Sequence, residues 1–211
     1  GREPLHGKQV VLCVTGGIAT YKYAYLTRAL VQADARMRVV MTANEQRFVG
    51  PLTFATLSGN PVVTSSFDPV HGDGAVEHVD LASWADLVLV APATYNLLGK
   101  LQAGIADDAV TTLLAAAAVP VFLAPAMNDR MWRQPVNQRN VAALRDLGYH
   151  LVDPERGALA CSWEGEGRMR EPEAILAAVR DVLRTSSAPG TADASGLAGR
   201  TLLVSAAGTQ E

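Results

Sequence analysis

The stretch Lys8-Gln9-Val10-Val11-Leu12-Cys13-Val14-Thr15-Gly16-Gly17 decides the reading of the fold. A strand with one face in water alternates apolar and polar residues. Residues 10–14 do not alternate, so both faces of this strand are buried, as in a parallel sheet covered by helices on each side. Thr15-Gly16-Gly17 ends the run in a tight turn. Residues 19–33 then carry Tyr23, Leu26 and Leu30 at helical spacing, so a helix follows the strand.

Outward from this unit the pattern recurs. Residues 37–41 read as a second strand, and 44–48 begin a short helix. Residues 54–63 have no clear period. Residues 78–85 read as a helix running into a strand over 86–91 that Pro92 stops. Residues 96–103 and 108–118 are helical, and 120–124 form a strand stopped by Pro125. Residues 134–147 form an amphipathic helix ended by Gly148, and 149–152 a further strand. Residues 153–170 read as a loop containing Gly157, Gly165 and Gly167, and 172–183 as a helix opened by Pro172. Alternation of strand and helix predicts an α/β fold: a doubly wound parallel sheet in a three-layer sandwich, Rossmann-like or flavodoxin-like. Residues 1–185 would form that domain. Residues 186–199, rich in Ser, Ala, Gly and Asp, read as a linker, and 200–205 open a fresh strand of a further, truncated domain.

Composition narrows the function classes. Of 211 residues 49% are hydrophobic and only 6% aromatic, and the net charge is −3 with no basic run. Nucleic acid and anionic membrane surfaces are therefore not expected partners. No apolar stretch approaches the roughly 20 residues of a membrane span, and the start Gly1-Arg2-Glu3-Pro4 lacks a signal-peptide layout. The two cysteines, Cys13 in a strand and Cys161 in a loop, fit reduced thiols and a cytoplasmic setting better than a disulfide.

Open α/β sheets bind ligands beyond the carboxyl ends of their strands. Those ends carry Thr15-Gly16-Gly17-Ile18-Ala19, then Thr42-Ala43-Asn44, then Ala91-Pro92-Ala93-Thr94-Tyr95-Asn96, then Ala124-Pro125-Ala126-Met127-Asn128. They are small or hydroxyl-bearing, with no bulky apolar plug, and backbone N–H groups with Thr hydroxyls there can hold a phosphate without a lysine. Neither G-x-G-x-x-G nor G-x-x-x-x-G-K-[ST] occurs at the first turn, which weakens a dinucleotide or a nucleotide-triphosphate reading. His78 is either a surface or helix-start histidine or a group that steers a proton near neutral pH. Asn128 either caps the helix after Pro125 or aims its carboxamide at a substrate carboxylate. Met131 and Trp132 read as core residues. Cys161, in a Gly-rich loop, is placed for proton donation or nucleophilic chemistry rather than for packing. No metal-ligating cluster is indicated.

These motifs, in order, resemble the flavin-containing cysteine decarboxylases: Thr15 to Ala19, Ala91 to Thr94, Pro125-Ala126-Met127-Asn128-Asp129-Arg130-Met131-Trp132, and Ala160-Cys161 through Gly167-Arg168-Met169. Within that family the P-x-M-N-x-x-M-W pattern with the Cys loop and an upstream His is most similar to the phosphopantothenoylcysteine decarboxylases, over about residues 8–185. The resemblance implies bound FMN, transient oxidation of a cysteinyl group, loss of carbon dioxide from a thioaldehyde, and reduction of the resulting enethiol. It implies that His78 assists the oxidative half, that Asn128, beside Met127 and Ala126, binds the substrate carboxylate, and that Cys161 protonates the enethiol from a flap loop. Thr15, Gly16, Gly17, Ile18, Ala19, Thr42, Ala93, Thr94 and Asn96 would line the FMN site. It further implies trimers, or assemblies of trimers, with sites between subunits. Residues 199–211 are similar to the opening of the phosphopantothenate–cysteine ligases, a domain fused behind the decarboxylase in many bacteria, to which CTP and a divalent metal would belong. The chain departs from the family at Ser162-Trp163, where Gly-Asp is usual, and at Tyr95, where small residues are. Other readings are an oxidative peptidyl-cysteine decarboxylase, a flavin prenyltransferase, a non-catalytic regulatory subunit and an electron carrier. Cys161 and the ligase-like tail speak against the first two, and retention of His78, Asn128 and Cys161 together against the third. The fourth lacks its strongly acidic surface.

Overall fold

A computed structural model describes residues 3–16, 20–42, 45–47, 49–64, 74–158 and 164–187. Among these a six-stranded sheet has the order β3-β2-β1-β4-β5-β6, and every neighbouring pair is parallel. The strands are β1 (Gln9–Val14), β2 (Arg36–Met41), β3 (Val62–Thr64), β4 (Leu87–Ala93), β5 (Val121–Pro125) and β6 (His150–Leu151). Crossover helices connect them: α1 (Thr20–Gln32), α2 (Pro51–Ser58), α3 (Gly74–Trp84), α4 (Tyr95–Ala103), α5 (Ala109–Ala116), α6 (Asp129–Arg133) and α7 (Pro135–Asp146). The sheet therefore winds outward in both directions from β1 and β4, the doubly wound arrangement.

The unbroken apolar run of β1 has its expected cause. Val10, Leu12 and Val14 enter one core with Tyr23, Leu26 and Leu30 of α1 and Ile175 and Val179 of α8 (Pro172–Ser187). Val11 and Cys13 enter the other, with Leu81 of α3, Leu98 of α4, Leu113 of α5 and Leu144 of α7. Each fully buried aliphatic side chain contributes about 1.5–3 kcal/mol relative to exposure, so moving β1 to a solvated edge would forfeit both sets.

Three expectations are corrected and one unassigned stretch is resolved. Pro92 does not stop β4, which continues to Ala93. The register against β5 shifts between Val90 and Ala93, and the ladder to β1 ends at Val90, so no bond is asked of the missing Pro92 N–H. The Ala91–Pro92 peptide is cis. Residues 54–63 hold α2 and β3, which share no long apolar pattern because Phe54 is the sole fully buried residue of α2. Residues 153–170 are not all loop: β7 (Glu155–Ala158) and β8 (Glu164–Arg168) pair as an antiparallel ribbon outside the main sheet. The final helix α8 extends through Ser186 and Ser187, the start of the expected linker. The rest of that linker and the strand expected over 200–205 lie outside the described residues. Within the described residues no helix is long and apolar enough to cross a membrane.

Candidate active site

Strand order reverses direction between β1 and β4. Crossovers leave that point on opposite sides, which opens a crevice at the carboxyl ends of the two strands. A side chain stitches its floor: the Thr15 hydroxyl, buried, donates to the Pro92 carbonyl at 2.5 Å. Thr42, after β2, joins the same edge through its N–H to the Val14 carbonyl at 3.2 Å. Its own carbonyl accepts from the N–H of Glu45, in a 3₁₀ turn over Glu45–Arg47, at 3.1 Å. On the other side of β4, at the end of β5, the Ala126 N–H donates to the Ala93 carbonyl at 3.2 Å. The structure thus brings together four of the strand ends singled out from sequence.

Thr94 is the N-cap of α4, its hydroxyl accepting from the Leu97 N–H at 3.2 Å. A hydroxyl that accepts still has a hydrogen to donate. Ala93 is buried beneath it, while Asn96, in the first turn of α4, is exposed. Gly16 is half-buried. Gly17, Ile18, Ala19 and Cys161 lie outside the described residues, as does the side chain of His78. The backbone of His78 is described: it sits in α3, whose final turn lies at the amino edge, where the Asp86 N–H donates to the Gln9 carbonyl at 2.7 Å. α3 therefore begins at the carboxyl edge, and His78 is one turn down from that start.

Asn128 is the N-cap of α6, with its Oδ1 accepting from the Arg130 N–H at 2.8 Å. The cap reading is thus realised, and it leaves the substrate reading standing, because the capping oxygen turns Nδ2 away from the helix. Asn128 is exposed, and Ala126 and Met127 are half-buried against the two opposite cores. Met131 departs from its expected place in the core and is 41% exposed, whereas Trp132 packs half-buried against the second core.

Two features escaped the sequence reading. The first is Gly167 of β8. Its carbonyl accepts from the Met127 N–H at 2.9 Å, and a Cβ there would overlap the Met127 carbonyl oxygen. The β7–β8 ribbon thus docks backbone to backbone on the segment bearing Asn128. The second is Lys22 of α1, 2% exposed, whose ammonium donates to the Met169 carbonyl at 3.0 Å and the Glu171 carboxylate at 2.8 Å. Arg168 reaches Glu171 as well, at 2.5 Å. The bond from Lys22, together with the nearby charges of Lys22 and Arg168, holds the Glu171 carboxyl below the usual carboxylate range. Only the Gly-x-Gly spacing hinted at Gly167. Nothing local marks Lys22, whose partner is 149 positions away.

Burial, with a smaller push from Asp108, raises the Cys13 thiol to about 12, so it stays protonated and is a packing residue. Among the described residues no group of His, Cys, Asp and Glu could hold a metal ion.

The donor set fits a flat, phosphate-bearing cofactor. Gly16, Ala91, Ala93, Ala124 and Ala126 leave the strand ends open. Thr94 places there a hydroxyl with a hydrogen still to donate, while Thr15 has spent its own on Pro92. α1 begins at Thr20 just beyond the first turn, so its free N–H groups favour an anion.

Residues 2–184 match the family described as Flavoprotein. The chain belongs to the flavoprotein family. Among curated relatives, the Coenzyme A biosynthesis bifunctional protein CoaBC of Bacillus subtilis (strain 168) is 45% identical over 208 residues, covering 98% of this chain and 49% of the relative. The chain spans about half the length of the curated relatives it matches. Among solved flavoprotein-like structures, a cysteine-to-serine mutant of PPC decarboxylase complexed with pantothenoylaminoethenethiol is 30% identical, with a TM-score of 0.75, over 85% of this chain and 100% of that one. The FMN binding protein AtHal3 is also 30% identical, with a TM-score of 0.72, over 85% of this chain and 98% of that one.

Proposed function

We propose that this chain is the FMN-dependent decarboxylase part of a bifunctional coenzyme A biosynthesis protein, converting 4′-phosphopantothenoylcysteine to 4′-phosphopantetheine. The observation that carries the reading is Asn128: it stands at the N-cap of α6 beside the switch-point crevice, with its oxygen committed to Arg130 and its NH2 turned outward, within a fold that covers the whole of the solved PPC decarboxylase at 30% identity.

Bound FMN supplies the two-electron acceptor for the cysteinyl end and the donor that returns those electrons. The chain's residues do the rest. Thr15, Thr42, Thr94 and the start of α1, with Gly16, Gly17, Ile18, Ala19, Ala93 and Asn96, hold the cofactor across the strand ends. Asn128 Nδ2 donates to the substrate carboxylate and fixes its orientation, with Ala126 and Met127 forming the wall beside it. His78 receives or steers the proton released in the oxidative half. Cys161 donates the proton that replaces the lost carboxyl on carbon. The electrons taken are given back, so the net change is one carboxylate exchanged for one proton, with carbon dioxide as the leaving fragment.

In this reading the protein works in the cytoplasm as a trimer or an assembly of trimers, and a ligase domain using CTP and a divalent metal follows in the full-length protein. The decarboxylase domain runs to the end of α8 at Ser187, the linker follows to 199, and 200–211 are the start of the ligase. Reduced Cys13 fits that compartment.

The test is an anaerobic absorption spectrum of the purified protein with and without phosphopantothenoylcysteine, followed by product analysis. The flavin band should be present, should bleach transiently, and the saturated thiol should accumulate with one carbon dioxide per turnover. A colourless protein that takes up no FMN, or a lasting enethiol as end product, overturns the assignment.

A further inference from the structure

Asn128 can orient a substrate only if α6 is held still, and α6 is too short to hold itself. A five-residue helix is barely more than one turn, and isolated turns are unstable because nucleation fixes many dihedrals for one hydrogen bond. Burial does not anchor it either, since none of its residues is fully buried. Its support comes from outside, at both ends. Before it, the Met127 N–H is bonded to Gly167 of β8 at 2.9 Å. At its far end the Trp132 carbonyl accepts two side-chain amides from the first turn of α7, Asn137 Nδ2 at 3.0 Å and Gln138 Nε2 at 2.6 Å.

These two amides differ in what their placement costs. Gln138 is exposed. Asn137 is 0% exposed, and its Oδ1 has no hydrogen-bond partner. Removing an amide from water while leaving its oxygen unbonded is unfavourable. The other buried positions of α7 are Asn140, Val141 and Leu144; Asn140 also buries an unbonded Oδ1, but of the two asparagines it is Asn137 that reaches α6. The bond that Asn137 makes is the grip on the end of α6. The backbone between is continuous and stiff, because the Trp132 N–H closes the turn onto the Asn128 carbonyl at 2.9 Å.

We infer that Asn137 is a positioning residue for the substrate-carboxylate site, fixing the C-terminal end of α6 and thereby aiming Asn128. The inference rests on the role given to Asn128 under the proposed function. Its mechanical part, the grip on α6, is independent of that role.

Asn137→Leu keeps the branched shape and removes the donor. In the flavin-loaded protein three quantities are measured: hydrogen exchange at the Arg130 and Trp132 amides, the dissociation constant for FMN, and kcat and KM for phosphopantothenoylcysteine. The Arg130 amide is the direct reporter, since its partner is Asn128 Oδ1. Exchange at both amides should rise about tenfold relative to the amides of β5. KM should rise about five- to tenfold with kcat within about twofold, and FMN affinity should be unchanged. Gln138→Leu, at an exposed position, should move exchange and KM in the same direction by about two- to threefold. Unchanged exchange at Arg130 and Trp132 overturns the inference, and so does an unchanged KM accompanied by a lowered Tm, which would make Asn137 a fold residue alone. If Asn137→Leu does not fold, Gln138→Leu decides by the same two readouts. A wild-type protein that releases no carbon dioxide removes the substrate role of Asn128, while the exchange result still decides whether Asn137 holds α6.

Discussion

Asn128 spends its oxygen on the cap of α6, while in the proposed function its nitrogen binds the substrate carboxylate, and one substitution separates the two. Asn128→Asp retains an acceptor for the Arg130 N–H, so the cap survives and a negative charge next to the helix N-terminus is favourable. It removes the donor and sets a negative charge against the substrate carboxylate. The expected result is a Tm within a few degrees of wild type and a fall of about 10²- to 10³-fold in kcat/KM. Activity within tenfold of wild type would mean that Asn128 is a cap and nothing more. The cap was legible in the sequence, because capping is a local property of an Asn after a strand-ending proline; the carboxylate role remains part of the proposed function. Lys22 was not legible. Its significance lies in the absence of solvent around its ammonium and in partners at Met169 and Glu171, facts of tertiary structure that no window of the sequence contains.

The β7–β8 ribbon meets the main sheet's carboxyl edge at Gly167, and that element depends on one missing side chain. Gly167 has φ +128°, a region L side chains rarely adopt, and a Cβ there would press into the Met127 backbone rather than a flexible side chain. Gly167→Ala should therefore lower stability by about 2–4 kcal/mol and weaken substrate binding by displacing the segment before Asn128. A melting temperature equal to that of wild type would show that the ribbon does not press on Met127. Element legibility follows burial. β1, β4 and β5 were readable because they are buried on both faces and appear as apolar runs. α2 shows only end signals, Pro51 at its start and Gly59 at φ +69° after its end, with one fully buried residue between them. Those end signals mark its bounds where the apolar period does not. The ribbon pairs Gly157 with Gly165 and carries Glu155, Glu164 and Glu166, so it has no apolar alternation to read.

For the molecule as a whole, alternating strands and helices made a parallel sheet legible, but not its strand order, which places β1 beside β4 and so creates the crevice. The same non-local assembly creates the charge pairs that link stability to pH. Glu3 is held below its ordinary pKa first by the hydrogen bond from Arg180, and Glu171 first by that from Lys22. Burial pushes Asp108 upward, but hydrogen bonds from Thr111 and Lys100 outweigh it and the net shift is downward. In each case the unfolded chain binds a proton more readily than the folded one, so the stability these groups contribute is present above the ordinary carboxylate pKa of about 4 and is lost as pH falls through their depressed folded values. Lys100 behaves in the opposite sense. The hydrogen bond to Asp107 raises it, so its contribution is present below the ordinary lysine pKa of about 10.4 and is lost as pH climbs past the raised folded value. Urea unfolding should therefore show a plateau from about pH 5 to about pH 8 with a decline on each side. The alkaline decline begins with Cys13, whose thiol stays protonated in the folded chain while the unfolded one loses its proton at about pH 8.5. Glu171→Gln should lower the plateau by about 1–2 kcal/mol, because it leaves the buried Lys22 ammonium without its counter-charge, and should flatten the acid limb, because one of the depressed carboxyls is gone. An acid limb of unchanged steepness in that variant would mean that the Lys22–Glu171 pair, and with it the tie between α1 and the root of the ribbon, contributes nothing to the folded state.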